Sequence, residues 1–206
     1  MSYFAFVRHG LSQANVDRIV AGQFDTPLAE KGRQQARDTA SLLKDIAFHH
    51  VHGSPLRRAK ETLEIILEEL QQDVIPTFHD ELQERNWGDV EQTGWKTRGD
   101  GKYSPEEADL WLTWSGCAPG GESYEDMSNR IVPFFDKYIL PRLKAGENVL
   151  VVSHNGVSKP LQRHLGNLPH ESTHTLDLKN CEVKLYEFDE DGKVQNVESR
   201  VPQENQ

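Results

Sequence analysis

Short apolar runs alternate along the chain with longer segments whose apolar residues recur at helical spacing. The short runs predict strands at residues 3–7, 51–53, 74–78 and 148–153. The helical spacing predicts helices at residues 30–46, 56–70, 123–143 and 157–165. Two later runs, separated by an acidic turn that ends in glycine, predict a β-hairpin over residues 182–188 and 194–197. This alternation is typical of the α/β class and predicts a three-layer α/β/α sandwich around a mainly parallel, mixed sheet.

Two of the predicted helices make specific expectations about which residues face the core. In the helix predicted at residues 30–46 the apolar spacing includes Ala36 and continues to Ala47, just past its end. In residues 123–143 the apolar face is predicted to include Met127 and Tyr138. Pro133 lies inside the second segment. Because proline lacks an amide hydrogen and its ring crowds the preceding turn, we expect Pro133 to kink or interrupt that helix.

The length of 206 residues suits one compact domain with a full core, and no linker divides the chain. We therefore predict a single domain over residues 1–206, with a lid-like insertion at residues 86–122. No stretch approaches the roughly 20 apolar residues that span a bilayer. The N-terminal sequence also lacks the basic region and cleavage site of a signal peptide. These features predict no membrane partner and a cytoplasmic location.

The formal net charge of −10 bears on the class of partner. It disfavours non-specific binding to nucleic acids and to anionic membranes, because a polyanion is repelled overall. It does not exclude a small anionic substrate. At physiological salt, screening over about 8 Å lets a local arginine cluster outweigh distant carboxylates.

Metal binding and disulfide bonding are both weakly supported. Cys117 and Cys181 lie far apart in the sequence, and neither belongs to a C-x-x-C pair. His49, His50 and His52 invite a zinc interpretation, but no cysteine or carboxylate lies near them at ligand spacing. We predict no metal site and no cofactor.

Basic side chains follow three of the predicted strands, at the point where each strand gives way to a loop or helix. Arg8 and His9 follow the first strand, Arg58 follows the strand at residues 51–53, and His154 follows the strand at residues 148–153. Ligands of α/β sheets bind beyond the carboxyl ends of the strands. Helix N-termini at that edge add backbone N–H groups and a positive dipole end. The sequence therefore predicts an anion pocket that contains two histidines.

Such a pocket suits phosphoryl transfer through a covalent phosphohistidine. A neutral imidazole can attack phosphorus, while arginines and a second imidazolium stabilise the charge for which other enzymes use Mg²⁺. The leaving alkoxide needs a proton, and Glu84, beside Trp87, is the candidate donor. A phosphate dianion and partial desolvation both favour a protonated carboxyl. Glu81 is a nearby alternative.

The chain resembles the histidine phosphatase superfamily, in the branch that holds the cofactor-dependent phosphoglycerate mutases and their phosphatase relatives. The matching segments, in family order, are VRHGLSQAN, GQFDTPLAEKG, SPLRRAKET, LQERNWGDVE, PGGESYEDMSNR and VVSHNG. They extend over residues 7–156. RHG alone is a weak signal, whereas the six segments together are specific.

The resemblance implies a role for each matching residue. It implies that His9 is the nucleophile, that Arg8 and Arg58 hold the phosphate, that His154 completes the pocket and that Glu84 donates the proton. The predicted substrate-binding residues are Asn15, Gly22, Asn155 and Trp87. Three positions depart from the family pattern without removing a catalytic group, namely Leu11, Ala21 and Asn155.

The insertion at residues 86–122 bears on the choice of reaction. It holds all four tryptophans, and its charged residues are acidic in excess, with Lys96, Arg98 and Lys102 against Asp89, Glu91, Asp100, Glu106, Glu107, Asp109 and Glu122. At i, i+3 spacing, Trp111 and Trp114 fit a helix pinned to the domain, and Trp87 fits a lid over the pocket. Family mutases carry an adjacent arginine pair here, which this sequence lacks.

We therefore expect a metal-independent phosphatase acting on a small phosphorylated metabolite. Two alternatives remain open at this stage. One is a cofactor-dependent phosphoglycerate mutase, and the other is a catalytically silent domain that binds phosphorylated ligands or proteins. The sequence leaves the oligomeric state open.

Overall fold

A computed structural model describes residues 1–96 and 99–202. Thr97 and Arg98, two residues of the predicted insertion, lie outside the described residues. The described part forms a six-stranded sheet in the order β3-β2-β4-β1-β5-β6. The strands are β1 (Ser2–Arg8), β2 (His50–Gly53), β3 (Thr77–Phe78), β4 (Val149–Ser153), β5 (Val183–Phe188) and β6 (Val194–Arg200). The first four in sequence are parallel, while β5 and β6 form an antiparallel hairpin beside β1. The predicted mixed sheet is confirmed.

The α-helices of the described residues are α1 (Gln13–Asp17), α2 (Glu30–Leu43), α3 (Arg57–Leu70), α4 (Pro105–Leu110), α5 (Tyr124–Phe134), α6 (Leu140–Lys144) and α7 (Asn155–Leu165). Short 3₁₀ turns occupy Asp80–Leu82, Gly88–Val90 and His170–Thr175, and one π-helical turn occupies Phe135–Ile139. In this part of the chain no helix has the length and apolar character needed to cross a membrane.

Two apolar layers cover the two faces of the sheet. Along β1, Phe4 and Phe6 pack with residues of α5 and α7, whereas Ala5 and Val7 pack with residues of α2 and α3. This division follows from the strand itself, because successive side chains point to opposite faces. The α/β/α sandwich predicted from the apolar pattern is confirmed.

The structure corrects two predicted boundaries. The helix predicted at residues 30–46 ends at Leu43, so Ala47 is exposed rather than part of the apolar face. The strand predicted at residues 74–78 is reduced to Thr77–Phe78. Pro76 precedes these two residues and has no amide hydrogen for the ladder, and Ile75 is exposed.

The helix predicted at residues 123–143 is interrupted, but not at Pro133. That proline lies within α5, and the interruption is the π-helical turn Phe135–Ile139, just before Pro141. A π-turn holds an extra residue and shifts the following side chains around the helix axis. As a result Ile139 is buried and Tyr138 is exposed, so the predicted place of Tyr138 in the core is wrong.

The tryptophan pair of the insertion does not lie on one helix. α4 ends at Leu110, and Trp111 packs in a small cluster with Val90, Ala108 and Ala118. Trp114 instead packs against the main core and the ring of His170. The two tryptophans therefore pack in different clusters, and the prediction that they lie together on one helix is wrong.

Candidate active site

Strand pairing brings the three basic junctions together at one edge of the sheet. β4 lies between β1 and β2, with Arg8 opposite Ser153 and Gly53 opposite Val152. Each strand therefore ends at the same level as its neighbours. The rings of His9 and His154, which follow β1 and β4, have their centroids 5.1 Å apart.

His9 is held as a neutral imidazole with one nitrogen available. Its Nδ1 lies 2.7 Å from the carbonyl oxygen of Gly10. Because a carbonyl can only accept, Nδ1 carries the hydrogen, and Nε2 keeps its lone pair in the neutral ring. Burial, followed by the charges of Arg58 and Arg8, holds the pKa of His9 well below its usual value.

Two arginines flank the candidate nucleophile, Arg58 fully buried and Arg8 partly buried. Arg58, in the first turn of α3, donates from Nη2 to Gly22 O at 2.7 Å and from Nη1 to Phe24 O at 3.1 Å. Arg8 donates from Nη1 to Leu178 O at 2.6 Å, while its Nε is buried without a hydrogen-bond partner among the described residues. Buried donors are ordinarily satisfied, so this unused N–H indicates a site for an anion.

His154 supports His9 from behind rather than forming the wall of the cavity. Its Nε2 lies 2.7 Å from the Ser54 hydroxyl, and its ring is fully buried. Burial, then Arg58 and His9, lower the pKa of His154 well below its usual value. This low pKa favours the neutral ring, and the imidazolium predicted from the sequence applies to the complex with a phosphoryl group. The negative charge of a bound phosphate dianion would favour the protonated form.

Glu84 is aimed into the site by backbone groups. Its carboxylate accepts from Arg85 N at 2.7 Å and from Gly156 N at 3.3 Å. A side chain at position 156 would collide with this carboxylate, since a Cβ there would lie 2.0 Å from Glu84 Oε1. Glu81, the alternative donor, is exposed and does not line the cavity. Gly156, two residues after the second histidine, therefore makes room for Glu84.

A cavity of about 270 Å³ joins these groups. Eight of the nine residues predicted from the sequence line it, namely Arg8, His9, Asn15, Gly22, Arg58, Glu84, Trp87 and Asn155. The ninth, His154, contacts the ring of His9 instead. Asn155 Nδ2 donates to Asp177 Oδ1, so that side chain is held at the rim.

Several residues that shape the cavity were missed from the sequence. Glu91 accepts from Gln23 N, Phe24 N and Trp87 N, and thereby ties the loop at Gly22 to the insertion. Gly22 adopts a φ of +51°, and a Cβ there would collide with the Glu91 carboxylate. These are contacts between loops distant in sequence, and no periodicity marks them.

Arg85, Lys159 and Asn180 were also missed. Arg85 is buried beside Glu84, and Lys159 is a buried lysine on α7; both line the cavity. Lys159 shares its helix face with Asn155 and Arg163, so no apolar periodicity in the sequence marks it as buried. Asn180 donates to the carbonyl of His9 at 3.0 Å, and nothing in the local sequence indicates that contact.

The three histidines considered for zinc have separate hydrogen-bond partners. His49 Nδ1 accepts from Asn148 N, His50 Nε2 lies 2.9 Å from Glu147 Oε2, and His52 Nδ1 lies 2.7 Å from Thr77 Oγ1. In the described ranges, no group of three or more His, Cys, Asp or Glu side chains is arranged to hold a metal ion.

Comparison with known proteins places the chain in a family. A family model described as the histidine phosphatase superfamily, branch 1, matches residues 4–199. The chain belongs to the histidine phosphatase superfamily. Members of the superfamily include phosphatases and mutases.

Individual superfamily members differ in their named activity. The 2,3-bisphosphoglycerate-dependent phosphoglycerate mutase 2 of Gloeobacter violaceus is 34% identical over 199 residues, which cover 96% of this chain and 90% of that protein. The solved alpha-ribazole phosphatase from Shigella flexneri is 27% identical, with a TM-score of 0.80 and coverage of 97% and 95%. A mycobacterial glucosyl-3-phosphoglycerate phosphatase, at 23% identity, has the same fold with a TM-score of 0.79 and coverage of 97% and 96%.

The buried histidines of this superfamily member make its stability depend on pH. His9 and His154 have pKa values well below the usual value of about 6.5 that they regain on unfolding. Below that pH the unfolded chain binds more protons than the folded one. The stabilising contribution is therefore complete above pH 6.5 and is lost as the pH falls, by about 1.4 kcal/mol per pH unit for each histidine.

Urea unfolding at pH 7, 6 and 5 measures this loss. We expect the free energy of unfolding to fall at each step, and His9→Gln to fall less steeply because one buried histidine has been removed. Burial also lowers the pKa of His52, to about 4. His52 therefore adds to the loss of stability at low pH equally in both proteins. Equal slopes for the two proteins would contradict the assignment of His9 as a neutral buried ring.

Proposed function

We propose that this protein is a metal-independent phosphatase that hydrolyses a small phosphomonoester through a phosphohistidine on His9. One observation carries the proposal: a neutral His9, with the Nε2 lone pair free, lines a cavity together with Arg8 and Arg58. Arg8 keeps one N–H without a partner there. This arrangement joins a nucleophile to the positive charge that a transferring phosphoryl group requires.

In the first step, His9 Nε2 attacks phosphorus as the bond from phosphorus to the ester oxygen breaks. The proton of Glu84 moves to the leaving oxygen, so an alcohol departs rather than an alkoxide. Arg8 and Arg58 balance the charge on the phosphoryl oxygens. His9 Nδ1–H continues to donate to the Gly10 carbonyl, and this hydrogen bond holds the orientation of the ring during the transfer.

In the second step, water attacks the phosphohistidine. The Glu84 carboxylate takes a proton from the water as the new oxygen–phosphorus bond forms and the bond to His9 breaks. Inorganic phosphate leaves, and Glu84 is again protonated for the next cycle. Because arginines supply the positive charge, we expect the reaction to proceed in the presence of EDTA.

A phosphoglycerate mutase is the second candidate, and the names of the curated relatives favour it. A mutase has to bind the carboxylate of phosphoglycerate and keep water from the phosphohistidine. Within residues 86–96 and 99–122, the basic side chains are Lys96 and Lys102. Lys102 Nζ lies 3.1 Å from Asp89 Oδ2, so this lysine is already paired. This acidic segment suits a phosphatase better than a mutase.

Assay with 3-phosphoglycerate and 2,3-bisphosphoglycerate in EDTA distinguishes the two reactions. We expect release of inorganic phosphate to exceed exchange between 2- and 3-phosphoglycerate, because the described part of the insertion offers no adjacent basic pair to hold a second anionic group. His9→Ala is the control and should support neither reaction. Isomer exchange that is faster than phosphate release would replace the phosphatase proposal with the mutase.

A silent binding domain is the third candidate, and the geometry argues against it. The proposed nucleophile, acid and arginines are all present and lie around one cavity. We also propose that the insertion at residues 86–122 acts as a lid, since two of its tryptophans, Trp87 and Trp95, line the cavity. The cytoplasmic location remains a prediction.

A further inference from the structure

A second cavity, of about 450 Å³, adjoins the catalytic cavity. Three tryptophans, Trp87, Trp95 and Trp111, contribute to its wall together with two valines and two polar residues. Two of these tryptophans, Trp87 and Trp95, also line the catalytic cavity. The two cavities therefore share a wall, and a leaving group that extends past Trp87 and Trp95 would enter the second cavity.

The indole rings of this cavity are held in place by their neighbours. The guanidinium of Arg85 lies 4.3 Å from the ring centroid of Trp87, and Tyr103 packs edge-on against Trp111 at 5.2 Å. Trp95 is 44% exposed, yet its Nε1–H donates to the carbonyl of Ile19. An exposed indole fixed by a hydrogen bond can bind a flat ligand with little loss of side-chain entropy.

The charge of the second cavity restricts what it can accept. Among the described residues of its lining, Asp177 is the ionisable group and no side chain is basic. Asp177 is itself bonded to Asn155 Nδ2 and to Lys159 Nζ, each at 2.7 Å. A second phosphate or a carboxylate on the leaving group would therefore meet an ion-paired carboxylate and no basic side chain of this lining.

We infer that the second cavity is a leaving-group subsite for a planar aromatic ring that carries no further negative charge. The inference rests on the proposed phosphatase function and names its substrate class, an arylalkyl phosphomonoester. Ring stacking on Trp87 and Trp95 provides the selectivity, and Asp177 excludes anionic leaving groups.

Hydrolysis of benzyl phosphate and cyclohexylmethyl phosphate tests the stacking part of the inference. The two esters have leaving groups of similar size, and one of them is flat and aromatic. We expect a kcat/KM roughly tenfold higher for benzyl phosphate, the effect of a favourable aromatic pair. Trp95→Leu should abolish this preference. Trp114→Leu is the matched control, because Trp114 lines neither cavity, and it should keep the preference.

A carboxylate added to the ring tests the part that concerns charge. We expect 4-carboxybenzyl phosphate to be a roughly tenfold poorer substrate than benzyl phosphate, and Asp177→Asn to reduce that difference. An unchanged difference in Asp177→Asn would remove Asp177 from the inference.

The failure of this inference can be separated from the failure of the proposed function. Equal kcat/KM values for the two uncharged esters, with hydrolysis still dependent on His9, would overturn the subsite alone. Calorimetry with benzylphosphonate and cyclohexylmethylphosphonate on His9→Ala reports ring preference without catalysis. If benzylphosphonate binds more tightly but the unmodified protein hydrolyses none of these esters, the phosphatase proposal is overturned and the subsite is supported.

Discussion

Replacing His9 with alanine should reduce hydrolysis of p-nitrophenyl phosphate to the background rate, a loss on the order of 10⁴-fold or more. The variant loses the atom that forms the covalent bond to phosphorus, and no other side chain around the cavity is placed to replace it. Arg8 and Arg58 remain, so calorimetry with inorganic phosphate should give an affinity close to that of the unmodified protein. The variant is thus expected to bind phosphate without hydrolysing the ester.

The phosphohistidine itself can be detected directly. Rapid quenching of the unmodified protein with ³²P-labelled substrate should trap a protein-bound phosphate that survives alkali and is lost in acid, the stability of a phosphoramidate. His79→Ala is a suitable control, because His79 bonds to Thr77 outside the cavity and should leave labelling unchanged. Full activity in His9→Ala would falsify the central proposal, whatever its phosphate affinity.

Replacing Glu84 with glutamine should slow hydrolysis of alkyl phosphates by roughly 10²–10⁴-fold, the usual contribution of a general acid. The effect should depend on the leaving group. p-Nitrophenolate departs without a proton, so its release in the first step should be little affected. Water attack still lacks its base, and the phosphohistidine should therefore accumulate. We expect a burst of about one equivalent of p-nitrophenol, followed by slow turnover.

Glu81→Gln is the matched control for this variant. Glu81 lies three residues away, is exposed and does not line the cavity. It should show neither the burst nor the dependence on the leaving group. If Glu84→Gln slowed alkyl and p-nitrophenyl phosphates equally and gave no burst, the carboxyl would have a structural role, and the proton donor would have to be sought elsewhere.

Most of the fold follows from the apolar pattern of the sequence because the pattern records burial directly. β4 begins with four apolar residues and ends at Ser153, and all five of its residues are buried. The elements that the pattern misplaces are those controlled by backbone chemistry. Proline shortens β3, and the π-turn before Pro141 reverses the exposure of Tyr138 and Ile139. A periodicity of 3.6 contains no information about such a turn.

The candidate site shows a similar division between what can and cannot be predicted. His9, Arg58 and His154 could be placed together because each follows a strand, and strand ends meet at one edge of a sheet. Glu91 and Asn180 could not, because each reaches the site through a contact between loops. The neutral state of His154 also depends on complete burial, which no sequence motif reports.

Arg85 connects the part of the molecule proposed to perform the chemistry with the part proposed to select the substrate. Its side chain donates to the carbonyls of Trp111, Gly116 and Glu122, while its own amide donates to the Glu84 carboxylate. The insertion can therefore vary in the side chains it presents to a leaving group while three backbone carbonyls keep its position. Substrate range in this protein should consequently be open to redesign through substitutions at those positions of the insertion that, unlike Trp87 and Glu91, neither line the catalytic cavity nor hold its loops.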